Sequence, residues 1–233
     1  YLSVYAPILF SEKAKIFNWI IRRKDYRLYL NSLISKYSLF VPVDEFFKNY
    51  IDPVAYAKDV KAVIKYWYNT KTSSVNATLY RYNPITGEIG DSLAAITSST
   101  FIEERLLDIL DSHIVIGNVE SGSNYYFTKN GNLLKVEGQG NELKVQGGFD
   151  IEKGVKINVI TNGVYNQING KTYFIDKPIQ TPLRSVYKVL SETPQFSKFF
   201  ELLNGFAGTS SEIFVKKTNY YGIDYNIKFF NTF

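Results

Sequence analysis

Few side chains in this sequence are of the kinds that catalyse reactions or hold metals. The 233 residues include one histidine, His113, and no cysteine, which excludes a thiolate nucleophile, a disulfide and a His-based zinc site within the chain. Two pairs of neighbouring carboxylates, Asp44–Glu45 and Glu103–Glu104, lie in predicted helices, where adjacent residues point to different sides. The sequence has no serine-nucleophile elbow, phosphate-binding loop or His-Glu-x-x-His pattern. We therefore predict no catalytic residue, no cofactor and no metal site.

The strongest candidates for binding are aromatic residues that lie close together in the sequence. Five of them fall within seventeen positions: Tyr66, Trp67, Tyr68, Tyr80 and Tyr82. Exposed rings stack on sugars or anchor protein interfaces, whereas rings on the inner face of a hairpin belong to a core, and both interpretations are open. Tyr80 and Tyr82 share one face of a predicted strand, so they are the predicted exposed pair. The nearby charges of Lys65, Lys71 and Arg81 favour an acidic partner.

The overall charge is basic, with a net charge of +5 and a pI of about 9.0. Lys58, Lys61 and Lys65 form a predicted helical stripe beside aromatic residues, a pattern that also occurs in nucleic-acid-binding proteins. Only 6 of the 27 basic residues are Arg, the side chain that best recognises phosphates and bases. A solvated helix face is therefore favoured, and we predict no nucleic-acid partner. No apolar run approaches the roughly 20 residues of a membrane-spanning helix.

The hydrophobic pattern changes from a helical to a strand period along the chain. Apolar residues at helical spacing predict helices over 12–36, 54–68 and 101–112. Between the first two, Leu39 to Pro42 is a predicted strand stopped by proline, and Asp44 can cap a helix that begins there. From residue 74 the period is two; further strands are predicted at 125–128, 133–136, 143–145, 155–161 and 171–175. Asn-Gly pairs between several of these strands are strong hairpin signals, so we predict an α+β fold with helices packed on an antiparallel sheet or sandwich.

Proline and glycine positions divide the chain. We predict a lead-in at 1–11, a main domain at 12–183 and an inserted aromatic-rich hairpin at about 66–96. Pro178 and Pro182 close the main domain. The last segment, 184–233, is predicted to be a helix plus hairpin or the start of a second, incomplete domain. Because the chain begins at Tyr1 with no signal peptide, we expect it to be a fragment or a processed product.

Three local strings, in this order, resemble the fasciclin domain family. The family's first box, Tyr-Thr-x-Phe-x-Pro-x-Asn/Asp-x-Ala-Phe, is matched at five positions: Tyr37, Phe40, Pro42, Asp44 and Phe47. A helix end of the form Leu-x-x-His-x-Val-x-Gly is matched at Leu110, His113, Val115 and Gly117. The second box, Asn-Gly followed after five residues by Asp and a later proline, is matched at Asn169, Gly170, Asp176 and Pro178. The resemblance covers roughly residues 12 to 182.

This resemblance implies a fasciclin-like fold and a non-enzymatic adhesion or interaction module that is extracellular or on the outer cell surface. Its partner would be a protein or a polysaccharide, and any membrane contact would come only from a lipid anchor outside this chain. The abundance of Lys, Asn, Tyr and Ile, residues with AT-rich codons, favours a bacterial origin. The resemblance then implies a bacterial surface or secreted type, such as a lipoprotein with tandem repeats. The alternatives are a glycan-binding accessory protein that uses the aromatic insert and, last, a hydrolase that uses carboxylates.

The resemblance also implies roles for individual residues. The positions that match its motifs are expected to be structural: Phe40, Pro42, Asp44, Gly117, Gly170 and Asp176. His113 is the implied partner contact, although the residue before it, often Tyr in the family, is Ser112 here. A half-buried histidine that fixes a loop is the favoured alternative. The insert adds Tyr80, Tyr82 and Trp67 as partner-binding candidates.

Overall fold

The computed structural model describes residues 2–57, 61–206, 214–220 and 223–228. The α-helices described are α1 (Ala6–Leu9), α2 (Lys15–Arg23), α3 (Arg27–Leu30), α4 (Pro53–Ala57), α5 (Ser99–Ser112), α6 (Gly148–Lys153), α7 (Val186–Glu192) and α8 (Ser197–Phe206). Short 3₁₀ helices are η1 (Asp44–Phe46), η2 (Gly140–Glu142) and η3 (Pro194–Phe196). The strands described are β1 (Tyr37–Pro42), β2 (Ala62–Asn69), β3 (Ser74–Tyr82), β4 (Ile89–Ile96), β5 (Ile114–Ile116), β6 (Tyr125–Phe127), β7 (Leu133–Glu137), β8 (Lys144–Gln146), β9 (Ile157–Gln167), β10 (Gly170–Ile175), β11 (Phe214–Tyr220) and β12 (Ile223–Lys228). The fold class is α+β.

A seven-stranded sheet in the order β5-β1-β10-β9-β8-β7-β6 forms the centre of the fold. Every neighbouring pair is antiparallel except β1 and β10, which run parallel from Tyr37 beside Gly170 to Pro42 beside Ile175. The expectation of a wholly antiparallel sheet is therefore wrong at this one pair. The parallel pair arises because the strand that follows the Asn169–Gly170 turn pairs with the first strand of the chain rather than only with β9.

Strand β1 is buried along its whole length because both of its faces are covered. Leu39 and Val41 join the core that includes α2 and α5, whereas Phe40 on the opposite face joins a second core among β7, β8 and β9. A strand buried on both faces reads as a continuous apolar run rather than an alternating one. This is why the run Leu39-Phe40-Val41 could be recognised as a strand from sequence.

The N-terminal helices cover one face of the sheet. Helix α2 places Ile16, Phe17 and Ile20 in the core at helical spacing. The helix predicted over 12–36 is interrupted near Asp25, whose φ of 52° is left-handed, and it resumes as the single turn α3. The segment at 1–11, expected to be a lead-in, contains α1 and buries Ile8 in the same core.

The insert is a separate three-stranded antiparallel sheet in the order β2-β3-β4. The predicted hairpin is confirmed as β3–β4, with the expected turn starting at Asn83, whose side chain accepts from the Ile85 and Thr86 amides. Of the helix predicted over 54–68, the structure shows α4 up to Ala57, and the prediction is wrong from residue 61 onward because Ala62–Asn69 is strand β2. Aromatic and β-branched residues in this stretch, such as Ile64 and Tyr66, pack well on a pleated surface, and both are buried.

The C-terminal part contains α7, η3, α8 and the antiparallel pair β11–β12. Leu183 is buried with Ile51 and Val63, but no side chain described between residues 184 and 203 is buried. The turn expected at 221–222 lies outside the described residues. Whether 184–233 begins a second domain stays a prediction.

None of the helices in the described parts of the chain combines the length and the apolar character needed to cross a membrane.

Candidate functional site

Asp44 of the first motif joins η1 to the start of α2. Its two carboxylate oxygens accept from the amides of Lys15 at 2.8 Å and Ile16 at 3.1 Å. These amides belong to the first turn of α2 and have no partner within that helix. Asp44 therefore caps α2, whereas the sequence had suggested that it caps the helix in which it lies. Burial raises the pKa of Asp44 to about 6, although the two amides and Lys15 act in the opposite direction.

His113 is completely buried at the C-terminal end of α5. The amide of Ile179 donates to its Nε2 at 2.9 Å, so Nδ1 carries the proton and donates to the carbonyl of Ile109 at 2.6 Å. Burial lowers the pKa of His113 to about 4, and the ring is neutral. A side chain with no exposed surface does not touch a partner. His113 therefore influences the surface only through the segment at Ile179 that it holds.

Gly170 of the second motif lies against β1 at close range. Its φ of 137° is unfavourable for other residues, and a Cβ atom there would be 1.8 Å from the Tyr37 carbonyl oxygen. The preceding Asn169 is fully buried: its Oδ1 accepts from the Val4 amide at 2.7 Å, and its Nδ2 donates to the carbonyls of Leu30 and Ser32. Sequence reasoning identified the turn but missed that Asn169 fastens the N-terminal segment and the end of α3 to the sheet.

The remaining motif residues pack and orient the strand ends. Phe40 stacks on Tyr173 with ring centroids 5.2 Å apart, and Pro42 is the buried last residue of β1. Gly117, with a φ of 129°, accepts from the Ser38 hydroxyl at 2.8 Å. The carboxylate of Asp176 accepts from the Asn158 amide at 2.9 Å and from its side chain at 3.0 Å. Each of these residues contacts other parts of the same chain.

Asp150, which sequence analysis did not single out, is a buried carboxyl group that bonds to the residue after Ile179, the residue that His113 contacts. Its Oδ2 accepts from the amides of Gly147 at 2.8 Å and Gln180 at 3.0 Å. It thereby fastens the start of α6 to the residue after Ile179. Burial raises the pKa of Asp150 to about 7. The available signal in the sequence was an acidic residue three positions after Gly147. A carboxylate at the third position of a helix can accept from the amide of the residue that precedes the helix.

A second missed feature is a buried ion pair between Arg105 of α5 and Asp52. Arg105 Nε donates to Asp52 Oδ2 at 2.6 Å, and both side chains are almost fully buried. Asp52 also accepts from the Val54 amide and so begins α4. Helical spacing alone gives no signal for this pair, because its members are 53 positions apart in sequence.

Asp150, Asp176 and Gln180 line a groove of about 670 Å³, which we call the insert groove. It brings together four segments: η1 and the residues after it, the β3–β4 turn, α6 with Val155, and the segment that follows β10. Its apolar surface includes Phe46, Ile85 and Phe149, and Ile85 is 93% exposed. Its charged lining is mixed, with three lysines and three carboxyl groups: Lys48, Lys153, Lys177, Glu45, Asp150 and Asp176. A groove of this size with apolar walls suits a segment of a macromolecular partner.

The aromatic candidates divide between the groove and the protein interior. Tyr82 lines the insert groove, but Tyr80 and Tyr82 are half-buried against Ile51, Val63 and Leu183, not exposed as expected. Trp67 is 36% exposed on β2, whereas its neighbour Tyr66 is buried against Phe47. The three candidates do not form one surface. Within the described residues, no three His, Asp or Glu side chains cluster as metal ligands would.

Comparisons with known proteins give one similar solved structure. No protein family and no curated protein matched the sequence. Among solved structures, the chain is similar to a FAS1 domain pair from the insect cell adhesion molecule fasciclin I, with 17% identity and a TM-score of 0.38. The match covers 82% of this chain and 52% of that one, so this chain spans about half of the protein it matches. A TM-score this low transfers neither fold nor function.

Proposed function

We propose that this chain is a non-enzymatic fasciclin-type module that binds a partner at an extracellular or outer cell surface, in a bacterial protein with further copies of the domain. The observation that carries the proposal is that all three motifs converge on the central strands. Asp44 follows β1, Gly170 begins β10 beside it, and His113 precedes β5 on its other side. The motifs thus describe one structural unit rather than three unrelated strings.

A binding role is supported because four buried or half-buried side chains suited to acid/base chemistry form hydrogen bonds with backbone groups. Asp44, Asp150 and Asp176 each accept from backbone amides, and both ring nitrogens of His113 are bonded to backbone. A general acid or base needs a proton-transfer path to its substrate. His113, which has no exposed surface, offers none.

The insert groove is the proposed partner site. Its exposed apolar residues, Phe46 and Ile85, lie on a short 3₁₀ helix and a turn that stand on the rigid β1 and β3. Binding residues are commonly carried by loops placed on a rigid scaffold. The partner is a protein or a polysaccharide.

The test is binding of the purified chain to arrays of surface proteins and glycans. Ile85→Asp should reduce binding at least about tenfold, since it replaces an exposed apolar anchor by a charged side chain. The matched control is Phe127→Asp, an equally drastic change at a residue that is 70% exposed on the edge strand β6, and it should bind normally. Turnover of a glycoside substrate that is lost in Asp150→Asn would contradict the proposal and establish the hydrolase alternative.

A further inference from the structure

A second groove lies between the N-terminal helices and the β2–β3 turn. It consists of two adjoining hollows of about 560 and 480 Å³ that share Leu9, Arg22 and Arg27. The first hollow extends to Trp19 of α2 and to Tyr68 at the end of β2. We call this surface the arginine groove. None of the motif residues lines it.

The charge of the arginine groove is strongly positive. Lys15, Arg22, Arg23 and Arg27 line it, and the single acidic residue among its lining side chains is Glu12. Half of the chain's six arginines therefore lie within six positions on this surface. Such a concentration contrasts with the lysine-rich remainder of the chain.

Not all of this charge is neutralised within the protein. Arg23 pairs with Glu103 at 2.6 Å, and Arg27 pairs with Asp25 at 3.2 Å in a contact where both side chains are exposed. An exposed ion pair such as Arg27–Asp25 contributes little to stability. Arg22 has no ion pair among the residues that the structure describes, so Arg22 and Arg27 are available to an external anion.

The amphipathic pattern of α2 explains why these side chains face outward together. Ile16, Phe17, Ile20 and Ile21 point into the core. The opposite face then carries Lys15, Trp19 and Arg22 at spacings of four and three. Trp19 and Tyr68 are partly buried against the core, and Lys15 Nζ lies over the Tyr68 ring, 5.8 Å from its centroid. These contacts hold both rings in place along the groove.

We propose that the arginine groove binds an acidic polysaccharide. The planar guanidinium groups of Arg22 and Arg27 match carboxylate or sulfate groups bidentately, and Trp19 and Tyr68 offer aromatic surface to the sugar rings between those groups. Hydroxyl and amide side chains in the groove, Ser11, Asn18 and Asn31, complement sugar hydroxyls. The concave shape suits a single chain better than a flat membrane surface.

This site is separate from the insert groove. The β2–β3 turn and the β3–β4 turn lie at opposite ends of β3, whose nine residues span roughly 26 Å at about 3.3 Å per residue. The two grooves can therefore be occupied at the same time, and a defect in one need not affect the other.

The experiment is calorimetric titration of the chain with size-defined heparin and polygalacturonate oligosaccharides, and with neutral dextran. Arg22→Gln with Arg27→Gln should weaken binding at least about tenfold, because charge-assisted hydrogen bonds are lost. The matched control, Lys48→Gln with Lys153→Gln, removes the same charge from the insert groove and should bind normally. Binding of the unmodified chain should also weaken as salt rises.

A second readout reports on the groove directly. The chain has two tryptophans, so in Trp67→Phe all tryptophan emission comes from Trp19, and it should change with the same midpoint as the heat signal. Equal losses in both double variants, or equal binding to dextran, would overturn the proposal. Tighter binding to anionic phosphatidylserine vesicles or to single-stranded DNA than to either oligosaccharide would overturn it in favour of those ligands.

Discussion

Individual buried ionisable residues give this protein two opposite responses to pH. The pKa of His113 is lowered to about 4 and the pKa of Asp150 is raised to about 7, in both cases because burial disfavours the charged form. As the pH falls, His113 gains a proton near pH 6.5 in the unfolded chain but only near pH 4 in the folded chain. At Asp150 the order is reversed, since the folded chain keeps its proton up to a higher pH.

His113→Gln should lower the free energy of unfolding at pH 7.5 by about 2–4 kcal/mol, through lost hydrogen bonds and imperfect packing. The deficit should shrink between pH 6.5 and 4, because only the wild type loses stability as its unfolded state gains the histidine proton. Urea unfolding of both proteins across this range measures the effect. Parallel stability curves would contradict the assigned neutral ring.

Asp150→Asn keeps an oxygen that can accept from Gly147 and Gln180 but removes the charge. Relative to this variant, the wild type should lose stability as the pH rises from about 4 to about 7, and the difference should be constant above that. Asp44 and His113 titrate in both proteins, so their contributions cancel. The measurement is the same urea series. If the free energy of unfolding of the wild type rose relative to that of the variant as the pH increased, the raised pKa would be refuted.

At the scale of elements, β1 is the strand on which the fold depends. It was predictable because burial on both faces and a terminal proline leave a distinct string in the sequence. Strand β2 was not predictable, since Val63, Ile64 and Trp67 also fit a helical spacing and only pairing with β3 decides between the two. The insert groove shows the same limit, because its four segments are separated in sequence and come together only in the folded chain.

Gly170→Ala should destabilise the protein by about 3 kcal/mol or more, because the added Cβ would displace β10 from the Tyr37 carbonyl. The control is Gly131→Ala, at a glycine that also has a positive φ but open space around it. It should cost only the backbone strain of about 1–2 kcal/mol. Equal losses in chemical denaturation would show that the contact with Tyr37 is relaxed without cost.

At the scale of the whole molecule, the buried core includes the N-terminal segment and extends to Leu183. Val4 and Ile8 are as buried as the central strands, and Leu183 packs with Ile51. The division near residue 183, based on the prolines, stays a prediction, and nothing in the sequence indicated that residues 2–11 belong to the core. Their place depends on Asn169, a partner 165 positions from Val4.

A chain that ends at Leu183 should keep the thermal midpoint of the full chain within about 4 °C, the shift that roughly 1 kcal/mol produces in a domain of this size. The reason is that the side chains described from 184 to 203 bury little surface. Differential scanning calorimetry of the two chains measures it. A much lower midpoint in the shortened chain would mean that the main domain does not end at residue 183.

The parallel pairing of β1 with β10 also has a consequence for how the chain reaches this structure. Tyr37 and Gly170 are 133 positions apart, so β1 has no partner on that side until residues up to 175 have left the ribosome. Pairings with such a large sequence separation slow folding, because the entropy of closing the intervening loop is lost before the contacts form. A nascent chain therefore lacks the β1–β10 half of its central sheet until residue 175 has emerged.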